Sequence, residues 1–386
     1  MSKFIERQLQ AEMLASAGEY PAVTVVGPRQ SGKTTLVRKL FPDHAYVNLE
    51  NPELRSLAQT DPKALLNRFP APVILDEIQR VPELLSWLQV GIDENPTVKG
   101  HWIITGSNQL KLRESVTQTL AGRTALLTLL PLSIRELKAA GKLKPTFQEI
   151  IHYGCLPRIF DQNLRPASAW RDYYQTYVER DVRQLIEIQN QISFERFMRL
   201  LAGRVGQLVN LHALSNDVGV SSVTLSKWLS VLESSFIIFR LPPFHRNFGK
   251  RITKSPKLYF VDPGLAGYLL NLETPAQIER DPLMGGLFEN LVVSEALKSR
   301  TNEGRQPNLY FFRDHNQNEV DLLYPEGGST IPVEIKSAQT FDKSFARNIH
   351  YYQKVSGDLS QGRIIYNGET EFESDTYRVI NFKSAF

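Results

Sequence analysis

Between positions 20 and 130 the apolar residues gather into short runs, Ala22–Val26, Ala45–Leu49, Val73–Leu75, Trp102–Thr105 and Ala125–Leu129, and the stretches between them switch to helical spacing. Runs without a polar face predict strands covered on both sides, joined by crossover helices at Lys33–Leu40, Asn51–Asp61, Pro82–Asp93 and Leu110–Leu120. The expected fold class is α/β, opening with a doubly wound parallel sheet. From Ile134 to about Leu241 the strand pattern stops and the chain reads as mainly helical, with a break at Gly154–Pro157. Apolar and β-branched runs return at Leu258–Val261, Leu309–Phe312, Glu319–Tyr324, Ile331–Ile335 and Arg363–Tyr366, around a helix at Leu287–Ser299. Three regions follow, 1–135, 136–258 and 259–386, the last a second α/β domain. Trp87, Trp170 and Trp228 lie at helical positions and are expected in the core.

Composition changes this picture little. The 386 residues carry 45 Lys and Arg against 41 Asp and Glu, so the net charge of +4 is too small to make the whole surface attract nucleic acid. Any basic footprint must be local. The single cysteine, Cys155, excludes an intrachain disulfide and a cysteine-based zinc site and suits a reducing cytoplasm. A charged amino terminus argues against export, and the most apolar window, Ala125–Ile134, is about half the roughly twenty residues a membrane span needs. The expectation is a cytoplasmic protein with no membrane contact.

The chemistry starts at Gly27-Pro28-Arg29-Gln30-Ser31-Gly32-Lys33-Thr34, a GxxxxGK[ST] motif between a strand and a helix, continued by Thr35. Gly27 and Gly32 let the backbone curl so that N–H groups and a helix start face phosphates. Lys33 adds positive charge, and the Thr34 hydroxyl is placed for Mg²⁺. Val73–Glu77 resembles the strand that follows such a loop, with Asp76 organising the metal shell and Glu77 orienting or deprotonating water, unless the pair only caps a helix. Ser107 and Asn108, after the next strand, are candidates to touch the γ-phosphate or its water, or to cap the following helix. Arg123 is read as an arginine finger, in cis or from a neighbouring subunit, or as a surface salt bridge. Glu50 either points to the nucleotide or caps the helix beginning at Asn51.

With these segments in order, the first ~135 residues resemble the AAA-type ATPases of the ASCE division. Further pieces, YVERDVRQL (177–185), LLAGRVGQLVNLHAL (200–214), KRITKSPKLYFVDPGLAGYL (250–269), GGLFENLVVSEAL (285–297) and FFRDHNQNEVDLL with PVEIKS (311–337), resemble a bacterial and archaeal family in which such an ATPase precedes a domain similar to the PD-(D/E)XK, restriction-endonuclease-like nucleases. The resemblance implies ATP and Mg²⁺ as cofactors. Asp321 in one strand with Glu334 and Lys336 in another then become candidate metal and nuclease residues, and Glu289 is where such nucleases add a third acid. The alternative is a degenerate site of salt bridges.

Leu211–Asp217, a Gly219 turn and Ser222–Glu233 have helix-turn-helix spacing, the winged-helix candidate of the middle region. Thr224 and Lys227 fall at the start of the second helix. No acid separates Glu233 from Asp262, while Arg240, Arg246, Lys250, Arg251, Lys254 and Lys257 fall between them, interleaved with Phe244, His245 and Phe248 for base stacking. This stretch is the expected nucleic-acid contact, DNA favoured, unless it serves as a subunit contact. A homo-oligomer is expected. The functions in play are an ATPase acting on nucleic acid, an ATPase switch for protein partners with an inert nuclease-like module, and an ATP-gated nuclease.

Overall fold

A computed structural model describes residues 4–107, 116, 118–182, 191–244 and 255–386, with the side chains of 180 and 181 left out. The first sheet has five parallel strands, β1 (Ala22–Val26), β2 (Ala45–Asn48), β3 (Val73–Asp76), β4 (Trp102–Gly106) and β5 (Thr124–Thr128), in the order β2-β3-β4-β1-β5. Every residue of β1 and β3 is buried, as a strand with helices on both faces requires. Because β1 lies between β4 and β5, the loops after β1, β3 and β4 open at one carboxyl edge.

The expected helix at Asn51–Asp61 is Pro52–Thr60, with Asn51 as its cap. A second helix, Pro62–Arg68, follows at once on Asp61, whose side chain caps it. The expected helix Leu110–Leu120 lies mostly outside the described residues. Trp170 and Trp228 are core residues, but Trp87 is 43% exposed.

The middle region is made of helices that pack on one another and on the helices Pro263–Leu269 and Pro275–Arg280. Its end is a helix Leu211–Val218, Gly219 in the left-handed region (φ 80°), and a helix Ser222–Ser234 capped by Ser221. An antiparallel pair follows, β6 (Ile238–Leu241) with β7 (Lys257–Phe260). The run expected to open the third region therefore pairs inside the second. An apolar run announces a strand without naming its neighbour.

The C-terminal sheet has six strands, β8 (Tyr310–Arg313), β9 (Glu319–Glu326), β10 (Ser329–Lys336), β11 (Gly362–Tyr366), β12 (Phe372–Glu373) and β13 (Tyr377–Asn381), ordered β12-β13-β11-β10-β9-β8. It is mixed: β10, β11 and β13 run parallel and the other pairs antiparallel. The helices Met284–Asn302 and Arg347–Ser356 both pack against β10. Among the described residues no helix is long and apolar enough to cross a membrane.

Candidate functional site

The loop after β1 curls because its backbone must. A Cβ on Gly27 would stand 2.1 Å from the Leu129 carbonyl oxygen, and Gly32 sits at φ 91° as the cap of the helix Lys33–Leu40. Lys33 folds back over the loop, donating to the carbonyls of Gly27 (2.9 Å) and Pro28 (2.8 Å). Burial lowers its pKa, opposed by the nearby Glu77 and Asp76 carboxylates. Pro28 is buried, Arg29 and Gln30 half-buried, and Thr35 exposed on the first helical turn.

Thr34 donates its hydroxyl to both Asp76 oxygens, at 3.1 and 2.9 Å. Asp76 also accepts from Tyr46 Oη (2.7 Å) and from Thr105 Oγ1. Glu77 stands beside it in the left-handed region (φ 59°, ψ 47°), a conformation that non-glycine residues rarely adopt and that turns the chain directly after β3. Its Oε2 accepts from Ser107 Oγ (2.9 Å) and from Gln79 Nε2, which also donates to Ser107 Oγ (2.9 Å). Two carboxylates with different partners thus stand one residue apart: Asp76 against the loop's Thr34, Glu77 against Ser107, which follows β4. Ser31 Oγ is buried with no hydrogen-bond partner among the described residues. An unsatisfied hydroxyl in a loop of inward N–H groups fits a phosphate. Mg²⁺ would be held by Thr34 and organised by Asp76, neutralising phosphate charge there.

Not every expected residue joins. Asn108 lies outside the described residues. Arg123 precedes β5, whose first residue pairs with Ala22 at the start of β1, so it sits at the opposite edge of the sheet from the loop. At about 3.3 Å per strand residue it cannot reach its own chain's nucleotide, which corrects the cis reading. It forms a forked pair with Asp93, 2.6 and 2.9 Å. Glu50 does not cap a helix; it pairs with Arg29 (3.6 Å) and Arg80 (3.5 Å). Tyr46, Gln79 and Thr105 were not anticipated, since no motif marks them.

The C-terminal carboxylates are held by lysines. On β10, Glu334 and Lys336 share one face, and Lys336 Nζ stands 2.6 Å from Glu334 Oε2 and 3.6 Å from Asp321 Oδ2. Asp321 Oδ2 also accepts the Ile335 N–H at 2.8 Å. Glu289 accepts from Tyr259 Oη (2.5 Å) and pairs with Lys257 (2.9 Å), which also contacts Glu319 (2.5 Å). Among the described residues no three acidic, His or Cys side chains gather as a metal-holding group. The expected residues Asp321, Glu334 and Lys336 are nevertheless brought together by β9 and β10, while Glu289, close enough to feel the Asp321 charge, is engaged by Lys257 and Tyr259. Lys257, expected at a nucleic-acid surface, is buried in this cluster at 3% side-chain exposure.

Burial, followed by the Asp321 charge, pushes the Glu334 carboxyl up to about 8. A carboxyl raised on folding stabilises while it is protonated, so that contribution is complete below the ordinary carboxylate range and fades as pH rises toward 8. Thermal melts between pH 5 and 8 should show wild type losing more stability on alkalinisation than a Glu334→Gln variant; parallel curves would remove Glu334 as the cause.

In the middle region Lys227 is exposed and Thr224 half-buried, its hydroxyl 2.8 Å from Ser221 Oγ in the helix cap. Arg240 is paired with Glu233 (2.5 Å). Phe244 stacks edge-on against Tyr310 (5.4 Å), and its N–H donates to the Phe311 carbonyl (2.8 Å), so it is docked on β8 instead of offered to a base. Arg246, Lys250, Arg251 and Lys254, with His245 and Phe248, lie outside the described residues.

Family models match in three consecutive stretches: an AAA domain over residues 19–138, a domain of unknown function (DUF8612) over 144–276 and another (DUF4143) over 284–385. Uncharacterized proteins of Mycobacterium tuberculosis and Mycobacterium bovis are each 32% identical over 381 residues, covering 96% of this chain and 82% of theirs. An uncharacterized protein of Haemophilus influenzae is 24% identical over 332 residues, covering 77% and 80%. A solved Walker-type ATPase of Pyrococcus abyssi aligns with 69% of this chain and 96% of its own at TM-score 0.46 and 15% identity. The AAA domain agrees with the loop and carboxylate geometry, whereas the C-terminal match carries no nuclease assignment. With an AAA-type P-loop ATPase domain ahead of two domains of unknown function, the chain belongs to the family of these mycobacterial proteins.

Proposed function

We propose that the protein hydrolyses ATP at the Gly27–Thr35 loop and uses the nucleotide cycle to act on DNA. The observation that carries hydrolysis is the pairing of Glu77 with Ser107 beside an Asp76 already joined to Thr34, which separates a water-orienting carboxylate from a metal-organising one. Support for a nucleic-acid partner is the helix, Gly219 turn, helix and hairpin, a winged-helix arrangement with Lys227 exposed on the second helix. The basic residues 246–254 belong to the connection between the hairpin strands. With Arg240 and Lys257 held in ion pairs, the expected contact contracts to Thr224, Lys227, Arg246, Lys250, Arg251 and Lys254.

Arg123 belongs to this reading as a residue that acts on a neighbouring subunit's nucleotide, which makes the working form a homo-oligomer. A second reading has its own support: Glu289, the third acid expected of a nuclease, is taken up by Lys257 and Tyr259, which favours an inert module on an ATPase that remodels protein partners. Fluorescence anisotropy with duplex and single-stranded DNA separates the two. Under the DNA reading a Lys250→Ala/Arg251→Ala/Lys254→Ala variant binds more weakly and with a shallower salt slope than wild type. Equal affinities and slopes would overturn it in favour of the second.

A further inference from the structure

A phosphate-binding loop must turn its N–H groups inward, which leaves carbonyl oxygens facing out and in need of donors when they are buried. Here the donor comes from a residue ahead of the sheet. Arg7 precedes the first helix (Gln10–Glu19) and the residues that match the AAA domain. It is only 4% exposed, and each of its three guanidinium nitrogens donates a hydrogen bond. Nη1 donates to the Ser31 carbonyl of the loop (2.6 Å), Nη2 to the Leu130 carbonyl just after β5 (2.6 Å), and Nε to Glu136 (3.1 Å).

The far end of this brace is fixed. Glu136 accepts the Gln8 N–H (2.7 Å) and the Ser133 N–H (2.9 Å). The segment between them is gripped from the other side, where Lys298 donates to the Leu132 carbonyl (2.9 Å) and Glu295 accepts the Ile134 N–H (2.7 Å). The Leu129 carbonyl, one residue before this segment, is the atom against which Gly27 packs.

We propose that Arg7 is a positioning residue for nucleotide binding, holding the Ser31 carbonyl out of the phosphate concavity from a point anchored on Glu136. Its positive charge is neutralised by that carboxylate, so it shapes the loop and does not itself bind phosphate. Only a planar fork serves all three acceptors at once; a lysine offers one nitrogen. The proposal rests on reading Gly27–Thr34 as the nucleotide site.

The test uses the full chain, a fluorescent N-methylanthraniloyl ATP for binding, steady-state hydrolysis, and thermal melting. Arg7→Lys keeps the charge opposite Glu136. It is expected to raise Kd and KM at least tenfold with kcat within twofold, because Asp76 and Glu77 are untouched. Unchanged Kd and KM, or a fall in kcat alone, would overturn the proposal. If Arg7→Lys does not fold, Glu136→Gln, which removes the charge and turns one of the two acceptor oxygens into an NH₂ donor, decides: a Kd raised threefold or more supports the brace and an unchanged Kd rejects it. Lys33→Ala is the control, since a wild type that binds no better than Lys33→Ala loses the nucleotide site itself and the inference with it, whereas normal wild-type binding with an indifferent Arg7 removes only the inference.

Discussion

A Glu77→Gln variant should bind ATP as tightly as wild type and hydrolyse it about 100- to 10,000-fold more slowly, the range general-base assistance supplies. The substitution preserves size and one acceptor oxygen, so the Ser107 hydroxyl keeps a partner and the left-handed backbone at φ 59° is unaffected. What is lost is the negative charge that holds the attacking water's proton. Single-turnover hydrolysis alongside equilibrium binding checks it: normal hydrolysis would take Glu77 out of the mechanism, and lost binding would show that its charge serves the loop and not the water. Asp76 should behave differently, because its carboxylate joins the loop through Thr34 and joins β2 and β4 through Tyr46 and Thr105.

The second large effect concerns stability. Lys298 is 1% exposed, paired with Glu295 at 2.7 Å and bonded to the Leu132 carbonyl. Lys298→Met leaves Glu295 charged and buried, and the expected loss is about 3–5 kcal/mol of unfolding free energy. Adding Glu295→Gln removes the stranded charge while keeping an acceptor for the Ile134 N–H, so the double variant should recover part of that loss. Urea titrations of wild type, both single variants and the double variant give the cycle. A Lys298→Met variant as stable as wild type would mean that the pair is an exposed-type bridge despite its burial.

Much of the ATPase sheet was legible because strands covered on both faces have to be continuously apolar, and β1 to β5 fall within a residue or two of the runs that announce them. Gly27–Thr34, Asp76, Glu77 and Ser107 come together because each directly follows or ends one of these parallel strands, so their neighbourhood is set by local sequence. What escaped is long-range. Arg7 and Glu136 meet across 129 positions, and no periodicity marks either. Tyr46 and Gln79 were hidden because a tyrosine in a strand and a glutamine in a turn have ordinary structural uses. Lys257 was misjudged by local charge: six basic residues without an intervening acid look like a surface, yet its partners Glu289 and Glu319 arrive from later elements. β13 was missed because Arg378 breaks a short run, although Val379 is fully buried and Ile380 nearly so.

The helix Met284–Asn302 buries 14 of its 19 residues and touches β5, β7, β9, β10 and the helix Phe147–Tyr153. Three family models divide the chain into consecutive parts, but this helix belongs to the interior of all of them. A cut placed ahead of residue 284 would strip the P-loop domain of a helix packed against β5 and leave Leu132 and Ile134 without their clamp. The C-terminal region is therefore tied into the other two, and the expected consequence is that the three segments melt in a single transition and that substitutions deep in the last destabilise the first.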